Sequence, residues 1–416
     1  MDEQRHDRQN SSARRGVIPK LISMGILAMS ALLVLSACGP DGEKPYSTVD
    51  PASTTADDIH GLYKLIFWLS LVVFVGVQFA VVYLSMRFRR KKSETKRPPQ
   101  VHGNKQLELI WTIIPAVVLL ILLIPTLNVL FDHDAQAQEA DLQVDVYGKQ
   151  WWWEFHMGED QVQNGDSLDV VTANEIVIPV GRNTVFNLYS NNVIHSFWVP
   201  QLTGKLDVIP GHVNSLSITP NETGEFYGEC AEYCGAQHAW MRFKITVVEE
   251  DEFYNWVNNW RSSPAVSAQA QEGDTGIVQA PAKFSVCLSC HTFNGFENAT
   301  TLTGIDAPAT FGPDLTMLAC RETFAAGLME TTPENLKQWL LDPGAVKPGN
   351  YMATQIGPGM PIELTDEEAD EFVDFLYSMA PEGGCLAPDG WNSSGGDGDA
   401  TPQATPADEL QATPAA

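Results

Sequence analysis

Two apolar runs, about Leu62–Leu84 and Leu107–Leu130, constrain the fold of this 416-residue chain more than any other feature. Each is close to the ~20 residues that an α-helix needs to cross a bilayer. Uninterrupted apolar stretches of this length are rare in soluble cores, so two buried core helices are the weaker alternative. Between the runs lies a basic cluster of Arg87, Arg89, Arg90, Lys91, Lys92, Lys96, Arg97 and Lys105. Positive charge stays on the cytoplasmic side, so the pattern predicts a membrane hairpin over 57–132 with everything after Leu130 outside. The length allows two or three domains. A net charge of −27 excludes a nucleic-acid binder that works through phosphate contacts. Acid gathered on the outer side suits solubility and basic protein partners.

At the N-terminus, Arg14, Arg15 and Lys20 precede the apolar run Leu21–Leu35, which ends in Leu35-Ser36-Ala37-Cys38. That is the layout of a secretory signal over 1–37. The last four residues resemble a bacterial lipobox, in which Cys38 becomes a lipidated first residue set in the membrane lipid. An uncleaved anchor with a passive Cys38 thiol is the alternative.

Within a domain expected over 140–260, residues 140–250 alternate short apolar runs with turn residues, for example Glu175–Pro179, Thr184–Tyr189 and Phe243–Val248. The spacing predicts an antiparallel sandwich or barrel. Within it stands Cys230-Ala-Glu-Tyr-Cys234-Gly-Ala-Gln-His238-Ala-Trp-Met241. Thiolate, thioether and imidazole together select copper over hard cations. One copper with a weak methionine needs a single cysteine, so the second thiol is one ligand too many. Two bridging thiolates can hold a copper pair, which spreads one electron's charge over both metals and reorganises little. The loop therefore reads as an electron-transfer site. A structural zinc site is the alternative, and Met241 argues against it because zinc has little use for a thioether. The remaining ligand is His195, far upstream in the strand-like Asn191-Asn-Val-Ile-His-Ser-Phe-Trp-Val-Pro200.

That loop, His195, the run Gly148-Lys-Gln-Trp151-Trp152-Trp153 and Lys205-Leu-Asp207-Val-Ile-Pro210-Gly211 resemble subunit II of haem–copper cytochrome c oxidases. The resemblance covers about Ile59 to Glu250. It implies a cupredoxin-like domain with a dinuclear CuA centre on His195, Cys230, Cys234, His238 and Met241. The backbone carbonyl of Glu232 would complete the copper site, and its carboxylate would reach a magnesium ion at the subunit I boundary. By the same resemblance, Trp151 is where electrons arrive from cytochrome c. Strand alternation places Trp151 and Trp153 on one face and Trp152 on the other. Glu108, three residues before Trp111, matches the mouth of a proton channel that continues into subunit I; a plain interfacial charge is the alternative. Asn192 stands where the family often has an acid.

A small-residue, polar linker over 261–279 follows Trp260. Beyond it, Cys287-Leu-Ser-Cys290-His291 has the attachment spacing for c-type haem, with two thioethers and one axial imidazole. A redox dithiol or a zinc pair is the alternative. Met317, Met329, Met352 and Met360 are the downstream candidates for the second axial ligand. Lys347-Pro-Gly-Asn-Tyr-Met352 resembles the ligand loop of class I cytochromes c fused to oxidase subunits, although Ala353 replaces the usual proline. Met352 is therefore assigned, with Met360, followed by Pro361, as runner-up. Thr365 and Glu368 form a capping box that opens a final helix. An all-α cytochrome c domain is expected over 280–387 and a disordered tail over 388–416. Cys320 and Cys385 remain, as a disulfide in an oxidising compartment or as two free thiols.

Taken together, the residues and the resemblance imply subunit II of a bacterial proton-pumping oxidase, with its CuA and cytochrome c domains outside the cell membrane. Electrons would pass from its own haem c to CuA and then to haem a in subunit I, where oxygen is reduced. Subunits I and III would be its partners, with a cytochrome, a small copper protein or a quinol–cytochrome complex as external donor. A nitrous-oxide-reductase-like protein would need a histidine-rich cluster that nine scattered histidines do not supply. A metal-binding membrane lipoprotein would need neither the hairpin with Glu108 nor a covalent haem.

Overall fold

A computed structural model describes residues 46–89, 103–138, 140–158, 162–163, 166–168, 170–262, 265–267, 277–292, 312–381 and 385. The signal region with Cys38, most of the basic segment and the tail after 388 lie outside these residues.

Helices α1 (Thr54–Arg87) and α2 (Lys105–Gln136) form the hairpin. Ser53 caps α1 by accepting from the Ala56 amide at 3.0 Å, and Asn104 caps α2 through the Gln106 and Leu107 amides. Side-chain acceptors there satisfy amides that have no partner within the helix. Phe74, Phe79, Leu119 and Ile124 leave their apolar surface uncovered, as the lipid-facing side of a spanning helix does. The helices start and end beyond the apolar runs because their outer ends are tied to the following domain. Ala52 donates to the Gln201 carbonyl at 2.8 Å, Thr54 to that of Thr219 at 3.1 Å, and Asn221 to Asp57 at 3.0 Å.

The outer domain is a sandwich of two five-stranded sheets. Its strands are β1 (Leu142–Lys149), β2 (Trp152–Met157), β3 (Val170–Ala173), β4 (Glu175–Pro179), β5 (Thr184–Ser190), β6 (His195–Trp198), β7 (Leu206–Val208), β8 (Asn214–Ile218), β9 (Gly224–Cys230) and β10 (Arg242–Val248). One sheet runs β8-β5-β1-β2-β3 and the other β4-β10-β9-β6-β7. The antiparallel expectation holds for the hairpin neighbours but not for β1 with β5 or β4 with β10, which are parallel. Those partners are not consecutive in the chain; the intervening segment crosses to the opposite sheet, and a crossover can return a strand in the same direction. Between the sheets, Trp153 packs edge-on against Phe197 at 5.5 Å, and Phe197 stacks on Phe243 at 4.6 Å. Such pairs add about 0.5–1.5 kcal/mol each beyond the area they bury. Helix α3 (Glu250–Arg261) closes the domain by burying Phe253, Trp256, Val257 and Trp260, one face at helical spacing.

The tryptophan run differs from its expected alternation. Trp151 lies in the turn between β1 and β2, after a cis Gln150–Trp151 peptide, so the strand register begins only at Trp152. Trp153 enters the core, and Trp152 is buried beneath the Lys149 ammonium.

In the linker, Ala265–Ser267 and Ile277–Gln279 pair as a short parallel ladder. The C-terminal segment holds a 3-10 helix over Ala282–Ser289, α4 (Pro333–Leu341), α5 (Pro343–Val346) and α6 (Asp366–Ser378). It also holds one two-residue hairpin, Thr323–Phe324 against Met329–Glu330. Thr365 and Glu368 make the reciprocal capping box at the start of α6. Its buried face, Phe372 and Phe375, packs on Phe284 at 5.4 and 4.6 Å. Cys320 and Cys385 are joined by a disulfide.

The C-terminal segment meets the sandwich through buried charge. The Glu175 carboxylate on β4 accepts from the Glu322 and Thr323 amides at 3.0 and 2.8 Å. Burial pushes this carboxyl upward, while Lys244 and the Thr323 donors oppose that shift. Lys244 on β10 pairs with Glu225 at 3.0 Å and with Glu322 across the boundary. Buried ion pairs of this kind fix orientation more than they add net stability, because desolvation cancels much of the attraction.

Candidate metal centre

Cys230 ends β9, and its neighbour on that sheet, β6, starts at His195. The antiparallel register sets Cys230 opposite Phe197, with the Ala231 amide on the Ser196 carbonyl at 2.9 Å. This pairing carries His195 Nδ1 to 3.9 Å from Cys230 Sγ across 35 residues of sequence. On the other side of β9, the Cys230 amide donates to the Met241 carbonyl at 3.0 Å, so the intervening loop must double back. That return places Cys234 Sγ 3.7 Å from Cys230 Sγ, 3.7 Å from Met241 Sδ and 3.8 Å from His238 Nδ1. The Glu232 carbonyl oxygen lies 3.2 Å from Cys230 Sγ. His195, Cys230, Cys234 and Met241 are buried and His238 is half-buried, while Glu232 and Tyr233 are exposed on the rim.

The thiol pair shares its protons unevenly. A hydrogen bond from Cys234, together with His195 and nearby backbone groups, holds the Cys230 thiol well below its usual range. The same contact and burial push the Cys234 thiol up. Two sulfurs at this separation, flanked by an imidazole on each side and a thioether, fit a thiolate-bridged copper pair. His195, Cys230 and Cys234 also bring their donor atoms within 4.8 Å of one another.

Several residues support this arrangement through contacts that the sequence did not indicate. Asn192 Oδ1 lies 3.0 Å from His195 Nε2. An Nε2–H donated there leaves the Nδ1 lone pair facing the sulfurs, so the amide orients the ring in place of the family's acid. Gln150 and the Trp151 indole both donate to the Cys234 carbonyl, at 2.6 and 3.1 Å. Gly148 lies so close beneath His195 that an added Cβ would meet its ring carbon Cδ2 at 2.9 Å. Gly148→Ala should therefore tilt the imidazole and weaken copper retention by about 10–100-fold, as the loss of a ligand-orienting contact does. Copper content after dialysis against graded chelator measures this, and circular dichroism should remain that of the parent.

The second cluster lies in the C-terminal segment. The Cys290 and His291 amides both donate to the Cys287 carbonyl, at 3.0 and 2.9 Å, which folds the three residues into one turn. His291 Nδ1 bonds the Pro313 carbonyl at 2.8 Å and leaves Nε2 free to ligate. The packing around the ring lowers the pKa of His291, which keeps the imidazole neutral as a ligand must be. Burial pushes the Cys287 thiol up to about 12. Cys287 and Met352 both pack against the apolar cluster of Phe284, Leu336, Leu340 and Phe372. Met352 Sδ accepts from the Trp339 indole at 3.1 Å, whereas Met360 sits in an exposed turn. The chemistry of Cys287, Cys290, His291 and Met352 is that of the donors a covalent haem would take. In α2, Glu108 lies in the first turn, with one carboxylate oxygen accepting from the Asn104 amide at 3.3 Å.

A two-helix membrane hairpin that carries a cupredoxin-like sandwich, with a two-cysteine loop and a histidine from the neighbouring strand, defines a membrane-anchored copper electron-transfer protein. Residues 46–129 match the family model for the transmembrane domain of cytochrome c oxidase subunit II, and residues 142–248 match that for its periplasmic domain. Cytochrome c oxidase subunit 2 of Alkalihalophilus pseudofirmus is 33% identical, over 84% of this chain and 95% of its own. The subunit from Bacillus sp. strain PS3 is 35% identical, over 86% and 97%. A crystal structure of the periplasmic domain of subunit II from Bradyrhizobium japonicum is 35% identical over 30% of this chain and 95% of that one, with a TM-score of 0.25. The chain belongs to the cytochrome c oxidase subunit II family. It is thus a subunit of a membrane oxidoreductase, and its outer copper domain transfers electrons.

Proposed function

We propose that this subunit carries two redox groups in series: a c-type haem on Cys287, Cys290, His291 and Met352, and CuA on His195, Cys230, Glu232, Cys234, His238 and Met241. The observation that carries the copper assignment is the 3.7 Å sulfur pair with an imidazole beside each thiol and Met241 next to Cys234. The haem assignment is supported by the Cys287–His291 turn, the Nδ1 bond to Pro313 and the placement of Cys287 and Met352 against one apolar cluster. Bound there, the two groups would each take and release one electron with little change of geometry. The protein's part is positional: sheet register fixes His195, the doubled-back loop fixes the sulfurs, and His195, Cys230, Cys234 and Met241 are buried.

Electrons would come from an external cytochrome, copper protein or quinol–cytochrome complex and leave for haem a of subunit I, beside subunit III. The exposed Glu232 carboxylate suits a magnesium ion shared with subunit I. Glu108, at the cytoplasmic start of α2, suits collection of protons for pumping, since a carboxylate at a membrane edge can pass them inward. Cys38 would add a lipid anchor, and the domains would span 1–37, 57–132, 140–260, 280–387 and 388–416, with a linker at 261–279.

Purified complex should contain CuA copper with its near-infrared absorption and a haem that stays attached to this chain on denaturing gels. Absence of copper from fully matured complex overturns the first assignment. Absence of attached haem overturns the second.

A further inference from the structure

Beside the copper loop, the C-terminal segment lays one aromatic ring on Trp151. The rings of Trp151 and Tyr351 stack with centroids 4.9 Å apart and planes 19° apart. On the copper side, the Trp151 indole N–H donates to the carbonyl of Cys234 itself. On the other side, Tyr351 is the backbone neighbour of Met352. Gln150 serves both: its amide nitrogen bonds the Cys234 carbonyl at 2.6 Å, and Tyr351 Oη donates to its Oε1 at 3.4 Å.

The surrounding contacts hold the stack in place. Gln237 of the copper loop donates to the Pro348 carbonyl, and Lys347 donates to the carbonyls of Trp240 at 3.2 Å and Ala325 at 2.9 Å. The Glu175 and Lys244 contacts with Glu322 and Thr323 anchor the same boundary further along β4 and β10. Lys347, Pro348 and Tyr351 of one loop thus hold to Trp240, Gln237 and Trp151. A planar pair stacked at this distance also leaves no room for a third ring on that face of Trp151.

We propose that Tyr351 is the positioning residue that closes Trp151 to outside donors and couples the Met352 loop to the copper loop. CuA is then reduced through its own chain alone. The inference rests on the haem assignment made above. One electron moves per event: the Met352 side is oxidised by one unit and the Cys234 side reduced by one, with no bond or proton exchanged. Tunnelling decays steeply through empty space and less through bonds. The route Met352–Tyr351–Trp151–Cys234 has a single non-bonded gap, the ring stack, besides the one hydrogen bond.

The test uses the intact oxidase complex with Tyr351→Leu and Tyr351→Phe. Tyr351 keeps half its surface exposed, so its loss leaves no core cavity. In Tyr351→Leu, oxidation of flash-reduced haem c should slow about 10–100-fold, as misplaced partners do. Oxidative labelling of the Trp151 indole, read by mass spectrometry, should rise. Tyr351→Phe retains the ring and should match the parent in both readouts. Parent-like transfer and labelling in Tyr351→Leu overturn the proposal. Equal losses in the Phe and Leu variants also overturn it, since the hydroxyl rather than the stacked ring would then matter. If the parent complex carries no attached haem, the haem assignment fails instead, and the labelling still reports whether Tyr351 covers Trp151.

Discussion

Cys234→Ser should abolish the near-infrared CuA absorption and reduce oxygen consumption by the complex about a hundredfold or more, while haem attachment and haem reduction stay unchanged. Cys234 is the hub of the cluster, within 3.8 Å of Cys230, His238 and Met241. A serine hydroxyl is a hard donor that stays protonated at neutral pH, so it cannot bridge soft copper ions. Loss of a metal ligand exceeds the 10–100-fold cost of losing a supporting contact. The fold should survive, because the sandwich core of Trp153, Phe197 and Phe243 does not depend on that sulfur. Metal analysis with parallel optical spectra reads the outcome. An intact near-infrared band in the variant would remove Cys234 from the centre.

The second large effect belongs to Gly312→Ala. A Cβ at that position would lie 2.4, 2.6 and 2.8 Å from the Cε1, Nδ1 and Nε2 atoms of His291. Neither partner can move cheaply. The Gly312 amide is bonded to the Cys290 carbonyl at 2.9 Å, and the ring is bonded to the Pro313 carbonyl at 2.8 Å. The ring must therefore leave its position. The expected result is loss of the low-spin haem c spectrum and lower yield of haem-stained chain, with the copper band unchanged. The three atoms nearest that Cβ all belong to His291 and none to a copper ligand, so the two readouts separate. A parent-like haem spectrum would show that His291 does not ligate from this pose.

Much of the copper site was legible because its ligands are close in sequence and chemically unusual. Cys230, Cys234, His238 and Met241 fall within twelve residues, and soft donors in that density have few other uses. His195 was legible only through its strand-like context and the resemblance, since nothing local ties it to a loop 35 residues away. Asn192 was visible only as a missing acid; the structure shows its amide oxygen on the His195 ring. The close approaches of Gly148 to His195 and Gly312 to His291 were not legible, because each depends on a ring that is distant in the chain. The run Trp151–Trp153 misled the alternation argument, since the turn that starts β2 one residue later is set by pairing with β1.

By itself the sequence determined what depends on neighbours along the chain: apolar length sufficient to span a bilayer, the charge that orients the hairpin, the donor chemistry of two redox motifs and the cap at Thr365. Tertiary structure alone decided which distant groups meet. It set the parallel pairing of β1 with β5, the approach of His195 to Cys230 and the stacking of Tyr351 on Trp151, 200 residues apart. Those contacts depend on strand register and on the packing of whole elements. A local pattern can limit both but cannot choose among the registers that satisfy it.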